Sequence, residues 1–411
     1  MSLSDKDINI MNIKLDKERT KMGSFDYAVA INFWCMRMVG VWPLKNTLYS
    51  NLQCGLIVIL ISLLSLSITI ELLMIREWNV IIRQAILTIP WIPVIGRFVF
   101  MKVFMSKNFR IILHTMIADW KDYRCLPKRN QQIMVYYARK SRMLNIFSIT
   151  LMGFSLAGYM LTPIINTWNS DVPWNTTTRS LPIRGFFPFS FKESPVFEIL
   201  YTMQSIVGFF ACTMIVSIDC FLCTVMLHAC GQFDILAATL ERYDSSTRHD
   251  YTKDMRSRTC ACLSCFVKRH VHILKYMDIV QRSFSDFHLI QLLTYCFNLV
   301  LCGHQLITYF QDHNFYDFIT FIIYVLTITC IIFIYCYLSE CVMEKSKNIG
   351  TIAYNLEWCR FPRDSNLAII IARSRIPCKI TAGKFVTMSF SYFTTIIISI
   401  ISYISVLAAF K

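Results

Sequence analysis

Charge is scarce in this chain: Asp, Glu, Lys and Arg make up 16% of its 411 residues, against 55% hydrophobic. That balance excludes an ordinary soluble protein, whose apolar positions are interrupted every few residues by polar ones. No Asn-Pro dipeptide occurs, so the Asn-Pro-x-x-Tyr element of a G-protein-coupled receptor's last span is missing. Glu241-Arg242-Tyr243 imitates that class's Asp/Glu-Arg-Tyr triplet, but it follows the fourth apolar run rather than the third. A G-protein partner is therefore not expected. There is no Gly-rich nucleotide loop, no His-x-x-x-His pair and no Ser/His/Asp set placed by a motif, so neither an enzyme nor a cofactor is expected. Residues 1–22 are charged and lack an apolar h-region with a small-residue cleavage site, which argues against a cleavable signal peptide.

What is present is a set of long apolar runs. A bilayer core takes ~20 apolar helical residues to cross. Seven stretches qualify: 55–75, 85–105, 143–165, 196–226, 287–310, 318–338 and 385–408. Without water to satisfy backbone groups in lipid, each reads as a helix. The net charge of +15 would suit a nucleic-acid binder, but its distribution decides otherwise. The four segments on one side of the runs hold 33 of the 41 Lys and Arg, and those on the other side hold six. Arg97 and Lys102 lie inside the second run. Positive loops stay in the cytoplasm, so no nucleic acid is expected and the N-terminus lies inside. The expected fold class is all-α: seven transmembrane helices of inverted topology, with the C-terminus outside. Residues 1–48 form a cytoplasmic N-terminal segment and 49–338 carry spans one to six with an external loop at 166–195. Residues 339–384 form a cytoplasmic segment, and 385–411 the seventh span.

The sequon Asn175-Thr176-Thr177 falls in that external loop, making Asn175 the expected glycosylation site. Pro173, Trp174, Pro182 and Pro188 suggest an ordered lid there. None of the 17 cysteines lies in an external segment, so no extracellular disulfide is expected. Cys260, Cys262 and Cys265 cluster in a basic cytoplasmic loop. Zinc would need a fourth ligand such as His270 or His272, and C-x-C-x-x-C is not a standard finger spacing. Palmitoylation or plain thiols are the favoured reading, with no metal.

The last quarter of the chain is the most specific. It reads Asn348-Ile349-Gly350-Thr351-Ile352-Ala353-Tyr354-Asn355, then Trp358, Pro362, an apolar helix over Leu367–Ala372, Arg373-Ser374, Pro377 and Thr381-Ala382-Gly383-Lys384. The final span ends with Ser402-Tyr403 and Val406-Leu407. This pattern closely resembles the C-terminal signature of insect odorant receptors, over about 60 residues. Cys359 and Ile401 stand where that family often has Tyr. Val41-Trp42-Pro43, the inverted topology and the loop lengths fit the same family. The gustatory receptors share the fold, but their Thr-Tyr followed five residues on by Gln-Phe is absent here.

The resemblance implies the odorant-tuning subunit of a ligand-gated, non-selective cation channel. The chain would assemble as a hetero-tetramer with the family's shared co-receptor in the plasma membrane of olfactory neuron dendrites. By position from the C-terminus, Val406 and Phe410 would form the pore constriction, with Ala409 lining it. Residues 345–380 and the overlong fourth span would form an intracellular anchor within the 339–384 assembly segment, whose candidate residues are Tyr354, Asn355, Trp358, Pro362, Arg373, Ser374, Pro377 and Gly383. Small volatile odorants would bind in the outer half of the bundle.

The residues themselves speak to each point. Ser391, Thr395, Ser399, Ser402 and Val406 recur at three- and four-residue steps, on one weakly polar helical face. Such a face could line a pore or pack against a neighbouring helix. The fourth run, Val196 to Met226, gives ~45 Å of helix where hydrocarbon needs only ~30 Å. The excess, carrying Asp219, is expected to project into the cytoplasm; a tilt would also absorb it. For the ligand site the candidates are Trp91, Phe154, Gly158, Tyr159, Thr162, Met203, Ile206, Val207 and Phe210, at similar depth in spans two to four. Arg97 lies ~18 Å into the second span and needs a partner or water; a transporter built on it is the second functional class.

Overall fold

The computed structural model describes residues 25–44, 47–104, 106–121, 123–168, 179–243, 249, 260–313, 315–356 and 365–409. Ten α-helices carry the described chain: α1 (Phe25–Met38), α2 (Leu48–Met74), α3 (Trp78–Val99), α4 (Ser106–Lys121), α5 (Lys128–Trp168), α6 (Val196–Leu240), α7 (Leu263–Gln311), α8 (Phe315–Asn355), α9 (Ser365–Ser374) and α10 (Phe390–Ala409). A π-helical turn, Phe100–Phe104, continues α3 beyond Pro90 and Pro93. Six helices are long and apolar enough to cross a membrane, and Phe390–Val406 is a shorter apolar seventh.

α2 shows how the sequence divides between lipid and protein. Thr47 caps it, its Oγ1 accepting from the Ser50 amide at 3.2 Å. Ile57, Ile61, Leu64 and Ile68 then face the bundle, while Leu52, Leu56, Ile59, Leu63 and Leu66 point outward. Both stripes are equally apolar. In lipid an outward leucine costs nothing, so close packing and polar contacts hold the bundle together rather than apolar burial.

The helices outrun their apolar windows. α5 begins 15 residues before the expected third span, at Lys128, and α6, α7 and α8 likewise extend into the basic segments. These extensions gather around the lower half of α6, where nearly every residue from Val216 to Leu240 is buried. A helix apolar on all sides belongs in a core. Phe109 of α4 stacks on Phe221 of α6 at 4.5 Å and tilts against Phe284 of α7 at 5.4 Å. Several polar groups on this axis pair with one another. Thr224 Oγ1 accepts from Asn32 Nδ2 at 2.7 Å and Asn145 Nδ2 at 3.1 Å. Asp234 takes the Tyr137 hydroxyl at 2.7 Å and pairs with Lys345 at 3.0 Å. His228 meets Asp119 at 3.0 Å.

One boundary differs from the expected seventh span. Residues 385–389 are not helical: Val386-Thr387 pairs antiparallel with Thr381-Ala382, forming β1 and β2. The turn between them needs Gly383 at φ +59° and Lys384 at φ +63°, a left-handed conformation that favours glycine. An added Cβ on Gly383 would lie 2.4 Å from Leu289 Cδ2. The hairpin docks on α7: the Gly383 amide donates to the Ser285 carbonyl at 2.8 Å, and the Thr381 amide to Gln281 Oε1 at 2.9 Å.

Candidate functional site

The upper bundle encloses an apolar cavity of about 150 Å³. α3 contributes Ile86, Leu87, Pro90, Trp91 and Val94; α5 contributes Met152, Ser155, Leu156, Tyr159 and Met160; α6 contributes Gly208, Ala211, Cys212 and Ile215. Tyr295 of α7 and Tyr324 of α8 complete the aromatic wall. A few hydroxyls set in such a wall suit a small apolar ligand with one or two polar groups.

The segment between α5 and α6 closes one end of the bundle. The Gln204 side chain brackets Ile183, donating to its carbonyl at 2.9 Å and accepting from its amide at 3.1 Å. The Ser67 Oγ donates to the Phe186 carbonyl at 2.7 Å, and Gln84 Nε2 to the Arg184 carbonyl at 2.7 Å. Residues 179–195 thus lie as a lid on α2, α3 and α6, and Ile183 lines the cavity beneath. Between lid and cavity is a more polar chamber of about 200 Å³, bordered by Arg83, Arg184 and Asp317. The two spaces share Leu87, Tyr159, Thr320 and Phe321.

Behind Tyr295, outside the cavity lining, lies a buried charged cluster. Arg97 is 3% exposed and Asp219 7%. Tyr295 Oη accepts from Arg97 Nη2 at 3.4 Å, and Gln291 Nε2 donates to Tyr295 Oη at 3.0 Å and to Asp219 Oδ1 at 3.2 Å. Tyr335 donates to the same carboxylate oxygen at 2.5 Å, and the guanidinium lies over the Phe287 ring at 5.4 Å. Asp219 is therefore not in the projecting part of α6. It sits among spans two, five and six, level with Arg97, and the helix projects only beyond it. The long apolar run hid this, because hydropathy gives length but not where a partner awaits.

The nine candidate ligand residues divide. Trp91 and Tyr159 line the cavity, and Thr162 lines the upper chamber while bonding the Gly158 carbonyl at 2.8 Å. Gly158 abuts Thr320, where an added Cβ would meet its side chain at 3.3 Å. Phe154 and Ile206 are exposed on the outside of the bundle, Val207 is buried in the core, and Met203 and Phe210 pack against the core away from the cavity. On α6 the lining residues are Gly208, Ala211, Cys212 and Ile215. An offset of one residue rotates a helix face by ~100°, and no amphipathic signal fixes the phase of a helix that is apolar all round.

On α10, Ser391, Thr395, Ser399, Ser402 and Val406 are exposed on the isolated subunit, whereas Ile396 and Ile400 are buried. Ile404 packs on α7 so closely that a Cβ added to Gly303 would lie 2.1 Å from its Cδ1. Ala409 is the last residue of α10; Phe410 lies outside the described residues. Between α8 and α10, Ser374 is buried against Gly350, where an added Cβ would meet the Ser374 Cβ at 2.8 Å. Gly383 is buried in the hairpin turn, Pro377 is half-buried, and Tyr354, Asn355 and Arg373 are exposed. The Ser346 Oγ takes the Cys378 amide at 2.9 Å, and burial pushes that thiol above its ordinary pKa. Trp358, Pro362 and Asn175 lie outside the described residues.

Seven apolar helices under a lid, with an apolar cavity among them, make a multi-pass membrane protein with room for a small ligand. The 7tm odorant receptor family matches residues 79–400, and the chain belongs to that family of insect odorant receptors. Odorant receptor 22c of Drosophila melanogaster is 24% identical over 321 residues, spanning 75% of this chain and 77% of its own length. The odorant receptor coreceptor of Anopheles gambiae is 22% identical over 180 residues, spanning 42% of this chain and 37% of its own. The olfactory receptor OR5 from Machilis hrabei, solved in complex with eugenol, superposes with a TM-score of 0.76 at 17% identity, covering 97% of this chain and 99% of that one.

Proposed function

We propose that this odorant receptor is the ligand-binding subunit of a heteromeric, non-selective cation channel, opened by a small volatile molecule in the cavity under the lid. The observation that carries the reading is the physical continuity between cavity and last helix. Tyr295 lines the cavity on α7, and two turns further along α7 Gly303 seats Ile404 of α10. On the other side Phe333 of α8 packs on Phe393 at 5.4 Å, and Glu340 Oε2 accepts from the Phe390 amide at 3.3 Å. A ligand that shifts α7 against α8 therefore displaces α10.

α10 keeps its Ser399, Ser402 and Val406 face free on the single subunit, which supports its lining a central pore with Val406, Ala409 and Phe410 near the outer mouth. The exposed Tyr354, Ile369, Ile376 and Phe385 of the cytoplasmic segment support its being the surface that joins subunits, including the co-receptor. The basic N-terminal and linking segments keep the N-terminus inside, the plasma membrane of olfactory neurons being the site of action.

Val406→Cys tests the pore. Ions cross an apolar collar only once it widens enough to wet. Expressed with the co-receptor, Val406→Cys current should be blocked by a charged thiol reagent applied from outside, whereas Ile404→Cys, packed on α7, should respond far less. Block at Ile404→Cys with none at Val406→Cys would overturn the assignment.

A further inference from the structure

Away from the ligand cavity, in the cytoplasmic link between α6 and α7, one histidine and three cysteines converge. His249 Nδ1 lies 3.3 Å from Cys265 Sγ, 3.5 Å from Cys262 Sγ and 3.8 Å from Cys260 Sγ. All four ligand atoms fall within 4.8 Å of one another. We infer that His249, Cys260, Cys262 and Cys265 form a structural Zn(II) site that ties the end of the α6–α7 link to the start of α7.

The distances fit one metal ion. With Zn–S near 2.3 Å and Zn–N near 2.05 Å, tetrahedral geometry places sulfur and nitrogen ~3.6 Å apart, and the observed separations bracket that value. A cluster of several irons would spread its ligands further, and three soft thiolates with one imidazole select zinc over hard cations. The fourth ligand is His249, not His270 or His272. It lies 11 residues before Cys260, an interval outside any standard finger spacing.

The surroundings suit an anionic metal site. Cys262 is the N-cap of α7 and Cys265 stands in its first turn, where the helix dipole favours negative charge. Arg269 Nη2 donates to the Cys260 carbonyl at 2.7 Å, bringing a positive group beside a site whose net charge with zinc is −1. In the sequence, Lys253, Arg256 and Arg258 add to the basic character of the same link, and Lys268 follows early in α7. Cys260, Cys262 and Cys265 are 0%, 6% and 2% exposed, which leaves no surface for an acyl chain and disfavours palmitoylation there. Chain connectivity explains the use: the thiols and His249 sit at one end of the 49-residue helix α7, and a shared metal fixes that end with four bonds.

The test uses the full-length receptor, purified through a tag without histidines and held in lipid nanodiscs. Elemental analysis should find about one zinc per chain. Cys125→Ser, at an exposed cysteine elsewhere, should keep it, while Cys262→Ser/Cys265→Ser should lose it. Cobalt exchanged into the wild type should show the intense ligand-field bands of a tetrahedral thiolate site. Should the double variant fail to fold, alkylation of the wild type followed by mass spectrometry decides. The three thiols should be protected until a zinc chelator is added, then react together. Background zinc in the wild type, equal alkylation with and without chelator, or a disulfide among the three would each overturn the inference.

Discussion

Removing one member of the Arg97–Asp219 cluster should cost more than removing both. The Asp219 carboxylate accepts hydrogen bonds from Tyr335 at 2.5 Å and Gln291 at 3.2 Å. Bonds to a charged group contribute about 1.5 to 3 kcal/mol each. Asp219→Leu discards both and leaves the Arg97 guanidinium, 3% exposed, with no opposing charge from Asp219. Breaking a directly paired buried charge on one side typically costs about 3 to 5 kcal/mol, and this pair, relayed through Tyr295 and Gln291, should fall at or below the lower end. Arg97→Met has the mirror-image effect on Asp219. In Arg97→Met/Asp219→Leu no charge is stranded, and replacing a buried ion pair by apolar side chains is often neutral. The double variant should therefore be as stable as the better single variant or more so, with a coupling energy of about 2 kcal/mol or more. Steric trapping in bicelles measures the free energies, and surface biotinylation gives a cellular reading. Additive single effects, with coupling below about 0.5 kcal/mol, would mean that the two charges do not sense one another across Tyr295 and Gln291.

Other perturbations separate ligand, pore and anchor. Ala211→Phe places a ring in the cavity of about 150 Å³, and should abolish odorant-evoked current while leaving surface expression near wild type. Normal responses to every odorant would refute the cavity assignment. Gly303→Val forces Ile404 off α7, since even a methyl would lie 2.1 Å from it; altered unstimulated current is expected, and unchanged gating would show that α7 does not steer α10. Tyr354→Ala, at an exposed position near the end of α8, should reduce co-purification of the co-receptor without shifting odorant preference; the opposite pattern would refute an assembly role. An N-terminal tag should be reached by antibody only after permeabilisation, and glycosidase should shift wild type but not Asn175→Gln.

Where the sequence was legible, one physical signal had one cause. Spans showed because a helix crossing lipid needs a long apolar run; the Thr381-Ala382-Gly383-Lys384 motif showed only through the family resemblance, and its physical reason is Gly383, whose left-handed turn against Leu289 leaves no room for a Cβ. The cavity was harder for the same reason the spans were easy. Phe154 and Tyr159 are both aromatic and both in the outer half of α5, yet one faces outward and the other lines the cavity. Lipid and cavity are equally apolar, so nothing in residue type distinguishes the two faces, and only the packing of α3, α6 and α8 against α5 fixes its rotation. Polar residues within spans carry the missing information. Gln291, Tyr295 and Tyr335 can be accommodated only where Arg97 and Asp219 require them, and placing those five side chains on a common centre sets the phases of α3, α6, α7 and α8 together. Counting back along α3 from Arg97 by three and seven residues then leads to Val94 and Pro90 of the cavity wall, which single-helix hydropathy could not reach.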